Sequence, residues 1–267
     1  GSLLGVAAAA LVTNAFDAQT LETWAWRLPF LGGAILGIAA ISIRRNLHNS
    51  ERFGQYHEGR EETSPLLQAF TKNRHETLLA LAFASSYGTC YYIAFVYLPE
   101  WLSAQELMSR STALLVNTGM MMLVIPAMPM FAIIGDRWLR RRTWIAISML
   151  LLASVAWPIH AWMLASAGSL TAVIASHGLI FLILAVPLGS APALFVELFP
   201  ESDRLSGYSV AFNLGLGVFG GLTPMVATAL IATTGLSTAP AVYLAIAAFI
   251  AVLSLMLMPD RSREPLR

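Results

Sequence analysis

Charge is scarce in this chain. Asp, Glu, Lys and Arg make up 12% of its 267 residues, about half of the ~25% usual for a soluble domain. With 16 basic and 15 acidic side chains the net charge is +1, too small to draw in nucleic acid. Cysteine is scarcer still: Cys90 stands alone, which excludes an internal disulfide and a cysteine-based metal cage. There is no HExxH, CxxC, GxSxG or phosphate-cradling glycine loop. Every Asp and Glu falls in a polar stretch or at the edge of an apolar one, so no pair of buried carboxylates is available for acid–base chemistry. These absences argue against an enzyme and against a bound cofactor or metal.

What the chain has instead is apolar length. Hydrophobic residues make up 57% and the mean hydropathy is +0.67. A membrane-crossing helix needs ~20 mostly apolar residues, and eight stretches qualify as candidates: Gly1–Phe16, Trp24–Ile43, Thr77–Leu102, Ser111–Ile134, Thr143–Leu164, Leu170–Val196, Tyr208–Ala232 and Thr238–Met258. The expectation is an all-α, multi-pass membrane protein. The first stretch reads as truncated, because the chain opens at Gly1 in the middle of an apolar run.

The turn Gly135-Asp136-Arg137-Trp138-Leu139-Arg140-Arg141-Arg142 orients the rest. Five of its eight residues are charged, and a charge at the bilayer centre costs at least ~2.5–3.5 kcal/mol. It therefore lies in water, and four arginines mark that water as cytoplasmic. Alternation then puts Arg44–Glu76, Glu197–Ser206 and Pro259–Arg267 on the same side, and with the turn itself these regions hold fourteen of the sixteen basic residues. Only Arg27 and Arg110 remain opposite; Arg27 is expected to snorkel beside the interfacial anchors Trp24 and Trp26. The long polar stretch 44–76, followed by six spans, suggests two six-helix bundles joined in the middle.

Three places carry a family resemblance. Asp136, Arg137, Arg140 and Arg141 match the Gly-x-x-x-Asp-Arg-x-Gly-Arg-Arg signature of the major facilitator superfamily, with Ala132 and Leu139 in place of its glycines. Glu197-Leu198-Phe199-Pro200 with Arg204 resembles a second signature, Glu-x-Phe-Pro-x-x-x-Arg. Trp26-Arg27-Leu28-Pro29-Phe30 with Arg44-Arg45, and the Tyr208 to Pro224 stretch, are similar to the metabolite:proton symporter branch, which carries proline/betaine, citrate, shikimate and 2-oxoglutarate.

The resemblance implies the major facilitator fold from its fifth helix onward. Residues 1–43 would end the first bundle, 44–76 would be a cytoplasmic linker, 77–258 the complete second bundle and 259–267 a cytoplasmic tail. It implies secondary active symport of a small zwitterion or carboxylate, with protons, across the inner membrane. A drug or sugar carrier of the same superfamily, or a fragment inactive without the missing N-terminal helices of its own chain, are the alternatives. The partners are the solute, protons and the lipid bilayer. The acid that would carry the proton is not visible in these stretches.

Asp136, Arg137, Arg140, Arg141, Glu197 and Arg204 are the implied cytoplasmic latch; Arg142 reads as an ordinary cytoplasmic charge. Helical spacing supplies pathway candidates. Tyr87, Tyr91 and Phe95 recur every four residues on one face, either as a wall able to hold a quaternary ammonium by cation–π attraction or as ordinary aromatic packing. Asn117 lies too deep to face lipid, and Ser209 and Asn213 share a face, lining a pathway or bonding between helices. His160 and His177, near the outer ends of their stretches, and Tyr97 read as interfacial residues. Gly217 with Gly221, and more loosely Gly207 with Gly215, are expected to let helices approach closely, and Pro187, Pro192 and Pro224 to kink theirs.

Overall fold

The computed structural model describes residues 2–46, 74–200 and 204–262. Among these there is helix and no strand, as lipid requires of a backbone that must satisfy its own N–H and C=O groups. Most of the 44–76 stretch, residues 47–73, lies outside the described residues. Two compact units emerge, Gly1–Ser64 and Pro65–Arg267.

The first unit holds α1 (Ser2–Ala15), α2 (Ala18–Thr23), a single 3-10 turn (Ala25–Arg27) and α3 (Leu28–Asn46). At 14 residues, α1 is about 21 Å long at 1.5 Å per residue, short of the ~30 Å hydrocarbon core. The Asp17 carboxylate caps α2, accepting from the Thr20 N–H at 2.8 Å and its hydroxyl at 2.9 Å. The Arg27 guanidinium lies 4.3 Å over the Trp26 ring and donates to the Thr23 carbonyl at 2.7 Å. Trp24 and Trp26 are exposed, the disposition expected of interfacial anchors. Phe30, Leu31, Ile35, Leu36, Ile38 and Ile41 of α3 are all exposed, a surface suited to lipid contact.

The second unit contains six long apolar spans. The first is α4 (Arg74–Tyr92), a π-helical turn (Ile93–Tyr97) and α5 (Leu98–Ala104). Next come α6 (Arg110–Trp138), α7 (Arg141–Ala165) and α8 (Leu170–Leu198). The fifth is α9 (Arg204–Phe212), a π-helical stretch (Asn213–Gly220) and α10 (Thr223–Thr234); the last is α11 (Ala239–Leu257). α4 packs on the fifth span and on α11, α11 on α7, α7 on α8 and α8 on α6. Phe83, Trp101, Phe181, Phe195, Met149 and Leu152 fill the interior, while Leu115, Ile133, Leu150 and Ile246 face outward. With the short α1, the described chain has seven spans rather than eight.

Of the two glycine pairs that the spacing suggested, the looser one is in close contact and the other is not. Gly217 and Gly221 have open space where a side chain would go. The contact between α4 and the fifth span is made by Gly88, Gly215 and Gly220: a β-carbon on Gly88 would lie 2.9 Å from the Leu216 Cα, and one on Gly215 2.8 Å from the Ser85 nitrogen. Of the looser pair, Gly207 fits only because no side chain competes with the Phe199 ring, 2.5 Å from where its β-carbon would stand. The π-helical turns shift the helical phase, so a four-residue repeat extrapolated through them selects the wrong face.

Two prolines are answered by polar side chains of neighbouring helices. Pro187 has no N–H for the Ile183 carbonyl, and the Ser148 hydroxyl of α7 donates to that carbonyl at 2.6 Å. Pro99 likewise leaves the Phe95 carbonyl without its usual donor, and the Asn117 amide of α6 supplies one at 3.1 Å. Pro224 sits in the first turn of α10, where a missing N–H costs little.

Candidate functional site

Four helix ends meet around the arginine turn. α6 ends at Trp138 and α7 begins at Arg141, so Asp136 and Arg141 face each other across a tight reversal. The Arg141 guanidinium grips the Asp136 carboxylate through Nη2 at 2.8 Å and Nε at 3.1 Å. Its other arm, Nη1, pairs with the Glu197 carboxylate at the end of α8. The Arg141 and Glu197 side chains are each 14% exposed and Asp136 49%, so one guanidinium joins a shielded carboxylate to an open one. A shielded pair is expensive to leave half-made.

Arg140 turns the other way, to Asp260 beyond α11, at 3.6 Å. There the chain forms a strap. Arg142 donates to the Met258 carbonyl at 2.5 Å, and Arg261 to the Leu198 carbonyl at 2.9 Å. The second contact satisfies an orphan C=O at the end of α8 and places a cation there, both favourable at a helix C-terminus. Burial acts to raise the Asp260 pKa, but the Ser262 hydroxyl and N–H, with Arg140 and Arg142 nearby, outweigh it and hold the carboxyl below the usual carboxylate range.

The expected latch is thus only partly assembled. Asp136, Arg141 and Glu197 form one network, and Arg140 belongs to the strap. Arg137 is exposed and makes no ion pair with a described residue. Arg204 opens α9, half-buried. Arg142 does more than an ordinary cytoplasmic charge, since it holds the strap. Asp260 and Arg261 escaped sequence reading because they look like any polar tail. The one available signal was an acid directly after an apolar stretch that ends beside an arginine-rich turn.

One of the signature's two missing glycines is also accounted for. Ala132 lies against Gly189 of α8, where a β-carbon would run into the Met128 carbonyl. The opposing helix supplies the small residue that the α6 position lacks.

The pathway candidates occupy three settings. Tyr87 stacks on Phe83 at 5.9 Å between ring centres, Tyr91 on Phe95 at 4.9 Å, and Phe95 on Phe181 of α8 at 4.1 Å. The rings form a stacked row, and Phe95 carries it onto α8. Asn117 is fully buried, its Nδ2 engaged by Phe95. Asn213 is exposed on the fifth span and donates to the Ser209 carbonyl at 2.7 Å.

His160, His177 and Tyr97 face the interior of the bundle rather than its outer surface. They are 1%, 0% and 6% exposed. Each histidine gives its Nδ1–H to the carbonyl four residues earlier, at 2.8 Å for His160 and 3.1 Å for His177. The His160 ring meets Trp101 edge-on at 5.1 Å and the His177 ring tilts against Phe181 at 5.8 Å. Tyr97 reaches the Thr228 hydroxyl at 3.5 Å.

At the other end of the bundle, Glu100 of α5 and Arg110 of α6 form an ion pair at 3.2 Å, their side chains 54% and 60% exposed. A pair this open is worth only ~0–1 kcal/mol.

Comparison with known proteins places this architecture. The chain is 26% identical, over its whole length and 56% of the relative's, to the ectoine/proline transporter ProP of Corynebacterium glutamicum. To the citrate-proton symporter of Klebsiella pneumoniae it is 28% identical, over its whole length and 60% of the relative's. To a putative proline/betaine transporter of Staphylococcus aureus it is 28% identical, over 91% of the chain and 53% of the relative. The chain thus spans little more than half the length of these relatives. No solved structure matches it. The profile of the Major Facilitator Superfamily matches residues 1–192, and with the helical membrane architecture and the arginine turn between α6 and α7 in place, the chain belongs to that superfamily.

Proposed function

We propose that the protein of which this chain is part is a solute:proton symporter working by alternating access. Its solute is a small zwitterion or carboxylate, the classes that the relatives' names describe. Residues 77–258 form the second bundle and residues 1–43 end the first. The stretch 44–76 and the tail 259–267 are cytoplasmic, in an inner membrane. The observation that carries the reading is the Arg141 guanidinium bridging Asp136 and Glu197 at one end of an apolar six-span bundle. A network that closes one end and opens on separation is a two-state element, and a solute biases it by binding one state better.

The test is proton movement in proteoliposomes of the complete protein, read with an internal pH dye. Adding solute on one side is expected to drive proton entry with it. If no zwitterion or carboxylate moves protons, the symport reading fails; solute exchange without proton movement leaves a facilitator. Accumulation of a sugar or a lipophilic cation instead favours the drug or sugar carrier.

A further inference from the structure

A groove of about 650 Å³ opens along one side of the second unit, among α5, the start of α6 and α10, lined in part by Tyr97, Glu100, Arg110, Met225 and Thr228. Glu100 and Arg110 sit where the first span ends and α6 begins. α6 has 29 residues, roughly 43 Å at 1.5 Å per residue, so the groove mouth is a full membrane thickness from the arginine turn. By the charge bias of the sequence, that is the outer side.

The lining has a definite chemistry. Its charge is one carboxylate and one guanidinium, 3.2 Å apart. Beside them are the Thr228 hydroxyl and the Tyr97 phenol, 3.5 Å from each other, and the rest is apolar. A tricarboxylate entering here would meet one cation already matched by an anion, and would leave its remaining charges facing Glu100 or apolar walls. A neutral solute would have to compete with a charge pair and offer none in return. A zwitterion presents a cation and an anion a few ångströms apart, the separation of Glu100 and Arg110 themselves. Because their pair is more than half exposed, little holds it closed against an inserted ligand. The volume falls within the range of ligand sites and leaves room for a solute with water. Since the groove is open, it suits capture better than occlusion.

We propose that this groove is an outer capture site for a small zwitterion, with Glu100 receiving the ammonium and Arg110 the carboxylate. The inference rests on the transport reading and narrows its solute class.

The test is titration calorimetry of the complete wild-type protein in detergent with glycine betaine and, separately, citrate, alongside uptake of each in proteoliposomes. Glycine betaine is expected to bind, and Glu100→Gln, Arg110→Gln and the double variant E100Q/R110Q each to weaken it at least tenfold. A merely structural ion pair behaves differently. The double variant leaves no unpaired charge, so binding near the wild-type level in that protein overturns the proposal. So does wild-type binding of citrate without glycine betaine, or glycine betaine binding that none of the variants changes. Transport of citrate alone would sink the capture site and leave symport standing. Glycine betaine binding that the variants weaken, without any uptake, would support the site and sink symport.

Discussion

Single side chains in this bundle answer for single backbone groups. Ser148 is the clearest: its hydroxyl takes over the carbonyl that Pro187 cannot serve. Ser148→Ala should destabilise the protein by about 1–3 kcal/mol, the penalty of a buried unsatisfied carbonyl, seen as a lower thermal midpoint in detergent. In a Pro187→Ala background the same change should cost almost nothing, because residue 187 then donates the missing bond; equal losses in both backgrounds would refute the pairing. The same logic links Asn117 to Pro99. Sequence reading flagged Asn117 as too polar for its depth, and correctly so. It could not name the Phe95 carbonyl as the partner, because the two residues meet only when α6 packs beside the first span.

At the scale of elements, the crossing of α4 with the fifth span depends on glycines on both sides. Gly215→Val should lose about 1–3 kcal/mol or more through overpacking, since its β-carbon would collide with Ala84. Gly217→Ala, which meets open space, should stay within about 0.5 kcal/mol. Thermal unfolding of the two variants separates them, and similar losses would mean the crossing lies elsewhere. Sequence spacing favoured Gly217 because it assumed 3.6 residues per turn throughout, and the π-helical stretch Asn213–Gly220 breaks that rhythm.

The joint between α6, α7 and α8 is the other test at this scale. Glu197→Gln removes the shielded anion and leaves Arg141 with Asp136 alone. A charge-assisted hydrogen bond contributes about 1.5–3 kcal/mol, so an equilibrium that depends on it should shift at least tenfold toward opening at that end. Labelling rates of a reporter cysteine placed at the Glu197 end of α8 in the complete protein would measure this. Unchanged labelling would reduce the network to a static brace. The arginine turn itself was evident from composition; that Arg141 bridges the Asp136 and Glu197 carboxylates follows from where the α8 end arrives.

For the whole second unit, the strap through Asp260 ties residues 258–262 to the start of α7 and the end of α8. Its Asp260 pKa is depressed below the ordinary 3.8. The strap's contribution is therefore complete above that value and fades as pH falls through the lower native one. Asp260→Asn should lower the unfolding midpoint at pH 7, and the difference should shrink as pH falls below 3.8 and through the lower native value, where the wild-type carboxyl also becomes neutral. A midpoint difference that persists in acid would assign the effect to packing rather than charge.

Composition and charge alone determined that this is a multi-pass helical membrane chain, because hydrocarbon accepts only apolar surface and self-satisfied backbone, and both are written in residue order. They also placed the arginine turn outside the hydrocarbon. Only the tertiary structure decided which charges pair, which glycines touch and which histidines are buried. Each of these depends on residues far apart in the chain meeting at a helix crossing, and on π-helical turns that shift the faces presented there.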